Sequence, residues 1–361
     1  MSTGPTSSYA KARQRDAVSV LFAGGGTGGH LFPALAIAEQ LLERDPWSKV
    51  RFLCSDRPLD RQILSEERLL DVPVEFEIIP AKPFGVRPLT ALRFLSSWGG
   101  AVRAGRTAIR AAREHGRVWV VAGGGVVAAP VVQAARAEKV PVLMLNLDAT
   151  PGLANRWISR HATKIVTTAP VEGAIAAGWE RIPPIVRSAA VAPEAPEDCR
   201  HRLGLHPERP TIFVTGASQG AASINQMMTA LVRANAAEFQ RGGWQVVHQT
   251  GKPDTTEIEA AYREAKVPAK VFAFSKELGV CWGAADFAVS RAGAGSVAEA
   301  WANGVPTIFM PYPYHKDQHQ KKNAEPLVAA GAAVLCEDLI EAGRNVGSVG
   351  VRVLELMRDS G

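Results

Sequence analysis

Twice in this chain a short apolar run ends in a glycine-rich turn and passes at once into a helical pattern, and no other feature restricts the fold as much. The first run, Ala17-Val18-Ser19-Val20-Leu21-Phe22-Ala23, leads into Gly24-Gly25-Gly26-Thr27-Gly28-Gly29-His30. Pro33, Leu35, Ala36, Ala38, Leu41 and Leu42 then follow at helical spacing. The second, Pro210-Thr211-Ile212-Phe213-Val214-Thr215, leads into Gly216-Ala217-Ser218-Gln219-Gly220-Ala221. Further strands are expected at 50–53, 117–122, 140–145, 164–168, 287–290 and 306–311, with helices between them. Strands alternating with helices form parallel sheets whose faces the helices cover.

The expected fold class is therefore α/β, with two Rossmann-like parallel-sheet domains facing a cleft; a chain of 361 residues exceeds what one core usually holds. The boundaries read as a flexible tail at 1–17, an N-terminal domain at 18–170, an interdomain connection at 171–196 containing Pro183, Pro184, Pro193 and Pro196, and a C-terminal domain at 197–361. With 47% hydrophobic and 21% charged residues the composition is that of a soluble globular protein. Cys54, Cys199, Cys281 and Cys336 are scattered, which argues for a reducing compartment and against a metal cluster. No run of about 18 apolar residues occurs and the first residues lack a signal-peptide core, so a cytoplasmic protein is expected. The net charge of +6 permits an anionic partner.

Several stretches carry chemistry. After the strand at 287–290, Arg291-Ala292-Gly293-Ala294-Gly295-Ser296 places two glycines and a capping Ser before a helix, a geometry suited to a phosphate. Glu299, in what reads as the first helical turn, suits a ribose diol or is simply a carboxylate favoured by the helix dipole. The polar cluster from Tyr312 to Asn323 follows a strand, where open α/β sheets bind ligands. His30 is either a general base or a helix N-terminal residue bonded to backbone. Between 84 and 98, Phe84, Leu92, Phe94 and Trp98 interleave with Arg87 and Arg93, which favours an anionic membrane surface over nucleic acid. The arginines at 103–117 read as the solvated face of a helix, with Glu114 alone as counter-charge. Gly24, Gly26, Gly29 and Asp56 also satisfy a dinucleotide fingerprint, so an oxidoreductase is an alternative; no Gly-Lys-Ser/Thr occurs, which excludes a P-loop.

Arg291-Ala-Gly-Ala with Glu299, then His315-Lys316-Asp317, Gln320 and Asn323, resembles the donor site of the MurG family. Gly24 to His30 followed by Pro33-Ala34-Leu35-Ala36 resembles the family's N-terminal signature, and Gly216 to Ala221 with Ile224-Asn225, and His248 to Lys252, resemble two more of its stretches. The resemblance implies a GT-B fold and an inverting transfer of N-acetylglucosamine from UDP-N-acetylglucosamine to an undecaprenyl-linked muramoyl-peptide, at the inner face of the plasma membrane. It implies that Glu299 binds the ribose, Ser275 reads uracil through backbone groups, and Gln320 and His319 hold the sugar. Arg187, Ser218 and the turn at 294–296, continued by Val297 and Ala298, would meet the diphosphate, with Thr27, Gly28 and Gly29 also on the donor side. Gly124 and Gly125 would form a loop at the acceptor and diphosphate, and His30 would be the base. No cofactor is required, no metal site is expected, and a divalent cation is at most a stimulant. The chain departs from the family at Leu145-Asn146-Leu147-Asp148, where His-Glu-Gln-Asn is usual; Asp148 would then be a second candidate base. That departure leaves open another acceptor or a non-catalytic binding homologue.

Overall fold

The computed structural model describes residues 17–25, 28–85, 87–217, 220–314 and 317–359. The chain divides into two compact units, Met1–Ile185 and Val186–Gly361. The stretch 171–196 is thus shared: Glu180–Arg181 joins the sheet of the first unit, and 186–196 belongs to the second. Ala17, assigned to the tail, is buried, and its carbonyl accepts the Arg117 amide at 3.1 Å. The ordered fold therefore starts at least one residue before the expected boundary.

In the first unit β1 (Val18–Ala23), β2 (Lys49–Cys54), a two-residue antiparallel pair β3 (Arg68–Leu69) and β4 (Val72–Pro73), β5 (Phe76–Ile78), β6 (Arg117–Ala122), β7 (Val142–Asn146), β8 (Lys164–Thr167) and β9 (Glu180–Arg181) follow in order. Seven of them form one parallel sheet, ordered β5-β2-β1-β6-β7-β8-β9. Val20 and Phe22 pack on helix Gly28–Arg44 through Leu31, Leu35 and Ala38. Leu21 and Ala23 share the opposite core with Ala108 and Ile109 of helix Pro88–Arg113 and Val131 and Ala134 of helix Gly125–Ala137. Both faces of each strand are covered, which is why the strands read as nearly continuous apolar runs.

The two helices on that opposite face approach closely at Gly105, where an added Cβ would lie 3.1 Å from Ala134 Cβ. Three of the arginines at 103–117, solvated as expected, also converge on Glu138 at the end of helix Gly125–Ala137: Arg106 Nε at 2.7 Å, Arg110 Nη2 at 2.9 Å and Arg113 Nη1 at 3.1 Å. Hydrogen bonds from Arg106 and Arg110 hold its carboxyl below the usual carboxylate range. The counter-charge for this run thus comes from outside it, and Glu114 is not the partner.

The second unit carries β10 (Thr211–Thr215), β11 (Gln245–Gln249), β12 (Ala269–Phe272), β13 (Phe287–Ser290), β14 (Thr307–Phe309) and β15 (Ala333–Leu335), in the parallel order β12-β11-β10-β13-β14-β15. Ile212 and Val214 pack on helix Ala222–Ala234 through Ile224, Met227 and Leu231. Phe213 packs on the other side with Trp282, Val297 and Ala300. In each sheet the strand order reverses beside the first strand, between β1 and β6 and between β10 and β13. Loops at the carboxyl ends of such a switch point diverge and leave room for a ligand. The glycine turns after β1 and β6, and the turns after β10 and β13, stand at these two places.

Candidate functional site

In the second unit the helix after β13 runs Ala294–Asn303 and is capped by Gly293 in an extended conformation, with the Val297 amide bonded to the Gly293 carbonyl at 3.0 Å. Ser296 is therefore not the cap; it is buried inside the first turn. The chain turns helical as soon as the glycine allows, three residues earlier than a Ser cap at 296 requires. Amides of Ala294, Gly295 and Ser296 are the orphan donors of this end, the groups that can face an anion. Val297 and Ala298 are buried, Val297 within the core, so neither offers its side chain to a ligand.

The earlier helix start moves Glu299 into the second turn, away from the helix pole, and weakens the dipole explanation for it. Glu299 is half-buried, and Trp282 Nε1–H donates to its Oε2 at 3.2 Å. Burial pushes its carboxyl up to about 7, opposed by the Trp282 hydrogen bond. Asn303 at the far end of the helix accepts the Ala192 amide at 2.7 Å and donates to the Ala190 carbonyl at 2.8 Å, tying it to the segment that opens the second unit.

The turn between β13 and this helix is braced from below. Arg291, 8% exposed, pairs with Asp338 Oδ2 at 2.7 Å and donates to the Met310 carbonyl at 2.8 Å and to Ser223 Oγ at 2.9 Å. Asp338 also accepts from Ser223 Oγ at 2.6 Å, Asn345 Nδ2 at 2.8 Å and the Ile340 amide at 2.8 Å. Burial acts to raise its carboxyl, but these bonds and the Arg291 charge outweigh it and hold the group below its usual range. A buried charge pair with its remaining positions bonded fixes geometry as much as it adds stability. Arg291 is thus a brace, with its guanidinium 5.6 Å from the Tyr312 ring centroid.

Around this turn, Gln320 Oε1 accepts the Tyr312 amide at 2.8 Å, and His319 Nδ1 lies 2.7 Å from Asp317 Oδ1. Both open helix His319–Ala329. Ser275 is half-buried and its amide donates to Gln249 Oε1 at 3.2 Å. His248 is fully buried between Tyr262 OH at 2.9 Å and Asn225 Oδ1 at 3.1 Å, and burial pulls its imidazole down to about 3. It is a neutral core residue. Arg187 is half-buried at the start of the short turn Ser188–Ala190. Thr27 and Ser218, with Gly26, Gln219, His315 and Lys316, lie outside the described residues.

In the first unit His30 stands in the opening turn of helix Gly28–Arg44, next to exposed Gly29. It leans over the loop after β6. A Cβ built on Gly124, whose φ is +103°, would lie 2.9 Å from Asn155 Oδ1 and 3.4 Å from His30 Nε2. One built on Gly125, at φ +77°, would strike the Gly25 carbonyl at 2.2 Å. Positive φ calls for glycine at both; at Gly125 two turns also pack backbone to backbone, whereas at Gly124 it is the Asn155 and His30 side chains that close in. Asn155, 8% exposed, was not singled out in the sequence; its Nδ2 donates to Asn146 Oδ1 at 3.1 Å, and Asn146 Nδ2 donates to the Asp148 carbonyl at 2.8 Å. Helix Leu153–Ile158 also carries Arg156, so the sequence holds no sharp signal for Asn155. Leu145, Asn146 and Leu147 are buried and Asp148 alone is half-exposed, so the departing segment alters the core at three of its four positions.

On the proposed membrane segment Phe84, Leu89, Leu92 and Leu95 are 58%, 60%, 63% and 66% exposed, with Arg87 and Arg93 exposed among them. Phe94 and Trp98 are half-buried instead, drawn into a ring series with Phe84 at 5.4 Å from Phe94, Trp98 at 5.3 Å from Phe94, and Trp157 at 6.2 Å from Trp98. They anchor the segment to the unit. Among the described residues no helix is long and apolar enough to cross a membrane.

Family models for the N-terminal and C-terminal domains of glycosyltransferase family 28 match residues 20–167 and 211–347. A protein of Nocardioides sp. is 34% identical over 322 residues, covering 88% of this chain and 84% of its own length. One of Pelobacter propionicus is 30% identical over 375 residues, covering 95% and 92%. Both are named UDP-N-acetylglucosamine–N-acetylmuramyl-(pentapeptide) pyrophosphoryl-undecaprenol N-acetylglucosamine transferase. The crystal structure of Acinetobacter baumannii MurG aligns with a TM-score of 0.63 at 25% identity, covering 90% of this chain and 86% of that one. A UGT transferase from Siraitia grosvenorii in complex with UDP, 16% identical with a TM-score of 0.57, covers 95% and 94% and shares the fold. These matches overturn the oxidoreductase alternative, whose ribose-binding acid, Asp56, is ion-paired with Lys82. The fold is GT-B, and the chain belongs to the MurG family of glycosyltransferases.

Proposed function

We propose that this protein transfers N-acetylglucosamine from UDP-N-acetylglucosamine to the undecaprenyl-linked N-acetylmuramoyl-pentapeptide of peptidoglycan synthesis, lipid I to lipid II, with inversion at the anomeric carbon. The observation that carries this reading is the match to relatives of that name along nearly the whole chain, through both units. The chemistry fits. An inverting transfer needs an acceptor hydroxyl stripped of its proton and a departing diphosphate whose growing charge is met by fixed donors. The amides at 294–296 and Arg187 meet the diphosphate, helped by Ser218. Glu299 takes the ribose, Ser275 the base, and Gln320 with His319 the sugar. His30, whose ring lies by the Gly124 loop, is the base, and Asp148 is the second candidate. No metal cofactor is assigned a step. The test is incubation with UDP-N-acetylglucosamine and the lipid-linked acceptor: one UDP released per acceptor gaining one N-acetylhexosamine is expected. UDP-sugar bound with no acceptor glycosylated would return the protein to a binding role.

The acceptor carries a lipid, so the protein works at the cytoplasmic face of the membrane. Exposed Phe84, Leu89, Leu92 and Leu95 among exposed Arg87 and Arg93 suit the headgroup region of an anionic bilayer. Binding to phosphatidylglycerol vesicles is expected to weaken at least about tenfold in a Phe84→Asp, Leu92→Asp variant. Equal flotation of variant and parent would remove this surface from the account.

A further inference from the structure

Glu299 is held from behind by a residue to which no motif pointed. Trp282, on helix Leu278–Gly283, is fully buried and stands edge-on to Phe213 of β10, with centroids 5.0 Å apart and planes at 81°. Its Nε1–H donates to Glu299 Oε2 at 3.2 Å. An indole has one donor and no acceptor, so the whole polar capacity of this side chain is spent on one carboxylate oxygen. Because Phe213 belongs to a central strand, the ring cannot follow the carboxylate; the carboxylate must come to it.

We propose that Trp282 is a positioning residue for the nucleotide-sugar: its indole N–H fixes one oxygen of Glu299 and turns the carboxylate's remaining lone pairs toward the ribose diol. This rests on the ribose role given to Glu299 above. Two hydroxyls of a ribose donate best to a carboxylate whose plane is already set, since the ordering is then complete before the ligand arrives. The same N–H favours the ionised form. Burial acts to keep Glu299 protonated to about 7, and the indole is the opposing influence. Cys281 on the tryptophan's helix, and His319, Lys321, Lys322 and Glu325 on helix His319–Ala329, are the titratable groups of the helices packed against this one, and none contributes to the shift. The sign follows. An ionised Glu299 accepts from both hydroxyls, whereas protonation removes its charge and one acceptor position, so UDP-sugar affinity rises as pH rises through about 7. Without the indole N–H burial acts unopposed, and the midpoint moves up.

The experiment is titration of the full chain with UDP-N-acetylglucosamine from pH 6 to 9 in the parent, Trp282→Phe and Glu299→Ala. Phenylalanine keeps a ring against Phe213 and removes only the donor. The expected result for Trp282→Phe is about tenfold weaker binding at pH 7, a midpoint raised to about 8, and a deficit that shrinks by pH 9. A deficit of the same size at every pH, or an unmoved midpoint, means packing alone and overturns the proposal. Parent-like affinity in Glu299→Ala is a different failure, since it removes the ribose role itself. A readout on the unaltered protein guards against misfolding of the variant. One of its eight indole N–H resonances is expected to titrate near pH 7 and to become flat in Glu299→Gln. No indole resonance moving near that pH also overturns the proposal.

Discussion

Replacing His30 with alanine is expected to lower kcat for sugar transfer by about 10²–10⁴, the usual contribution of a positioned general base, while the affinity for UDP-N-acetylglucosamine changes less than about twofold. The separation follows from where the side chain stands. His30 belongs to the first unit, with its Nε2 beside the Gly124 turn, whereas the ribose and sugar contacts are assigned to the second. Removing the imidazole takes away the proton acceptor and leaves the donor side chains untouched. Rapid-quench transfer with saturating donor, alongside donor titration, measures both quantities. An unchanged kcat would pass the role to Asp148, the half-exposed carboxylate after β7. A loss of donor affinity matching the loss of rate would mean that His30 shapes the site and does not act on the acceptor.

Much of this arrangement was legible because local pattern and tertiary role agree. Apolar runs ending in glycine became strands at switch points, since a parallel strand covered on both faces needs apolar residues on both sides and its following loop needs tight backbone. Glu299, Gln320 and His30 were singled out because each lies in the loop or helix that follows a strand, where open α/β sheets bind ligands. What escaped notice depends on partners distant in sequence. Glu138 collects three arginines from another helix, and Asp338 receives Arg291 from a different strand's turn. Trp282, inside an apolar hexad, reads only as core until its neighbour across the fold is known. Ser296 was taken for a cap because residue type favours it there, but Gly293 already permits the extended conformation from which the helix begins. The leucines at 145 and 147 looked like lost ligand contacts; both are buried.

Glu299→Ala is expected to weaken UDP-N-acetylglucosamine binding on the order of a hundredfold, with the protein still folded. A hydrogen bond to a charged group contributes roughly 1.5–3 kcal/mol, and a carboxylate that accepts both ribose hydroxyls makes two. Part of that is offset because the parent must desolvate the carboxylate on binding, which leaves about 3 kcal/mol, or some two powers of ten. The comparison is made at pH 8.5, above the value of about 7 to which burial pushes this carboxyl, so that it is ionised before the ligand arrives. The alanine also leaves the Trp282 N–H buried without its acceptor, a cost carried by folding and visible as a lower Tm. Calorimetric titration of parent and variant at that pH is the deciding measurement, because every assignment around the turn after β13 depends on Glu299 facing the nucleotide. Saturable binding of UDP-N-acetylglucosamine by the parent is expected, with near loss of it in Glu299→Ala. A parent that does not bind, or a variant that binds as well as the parent, would contradict this.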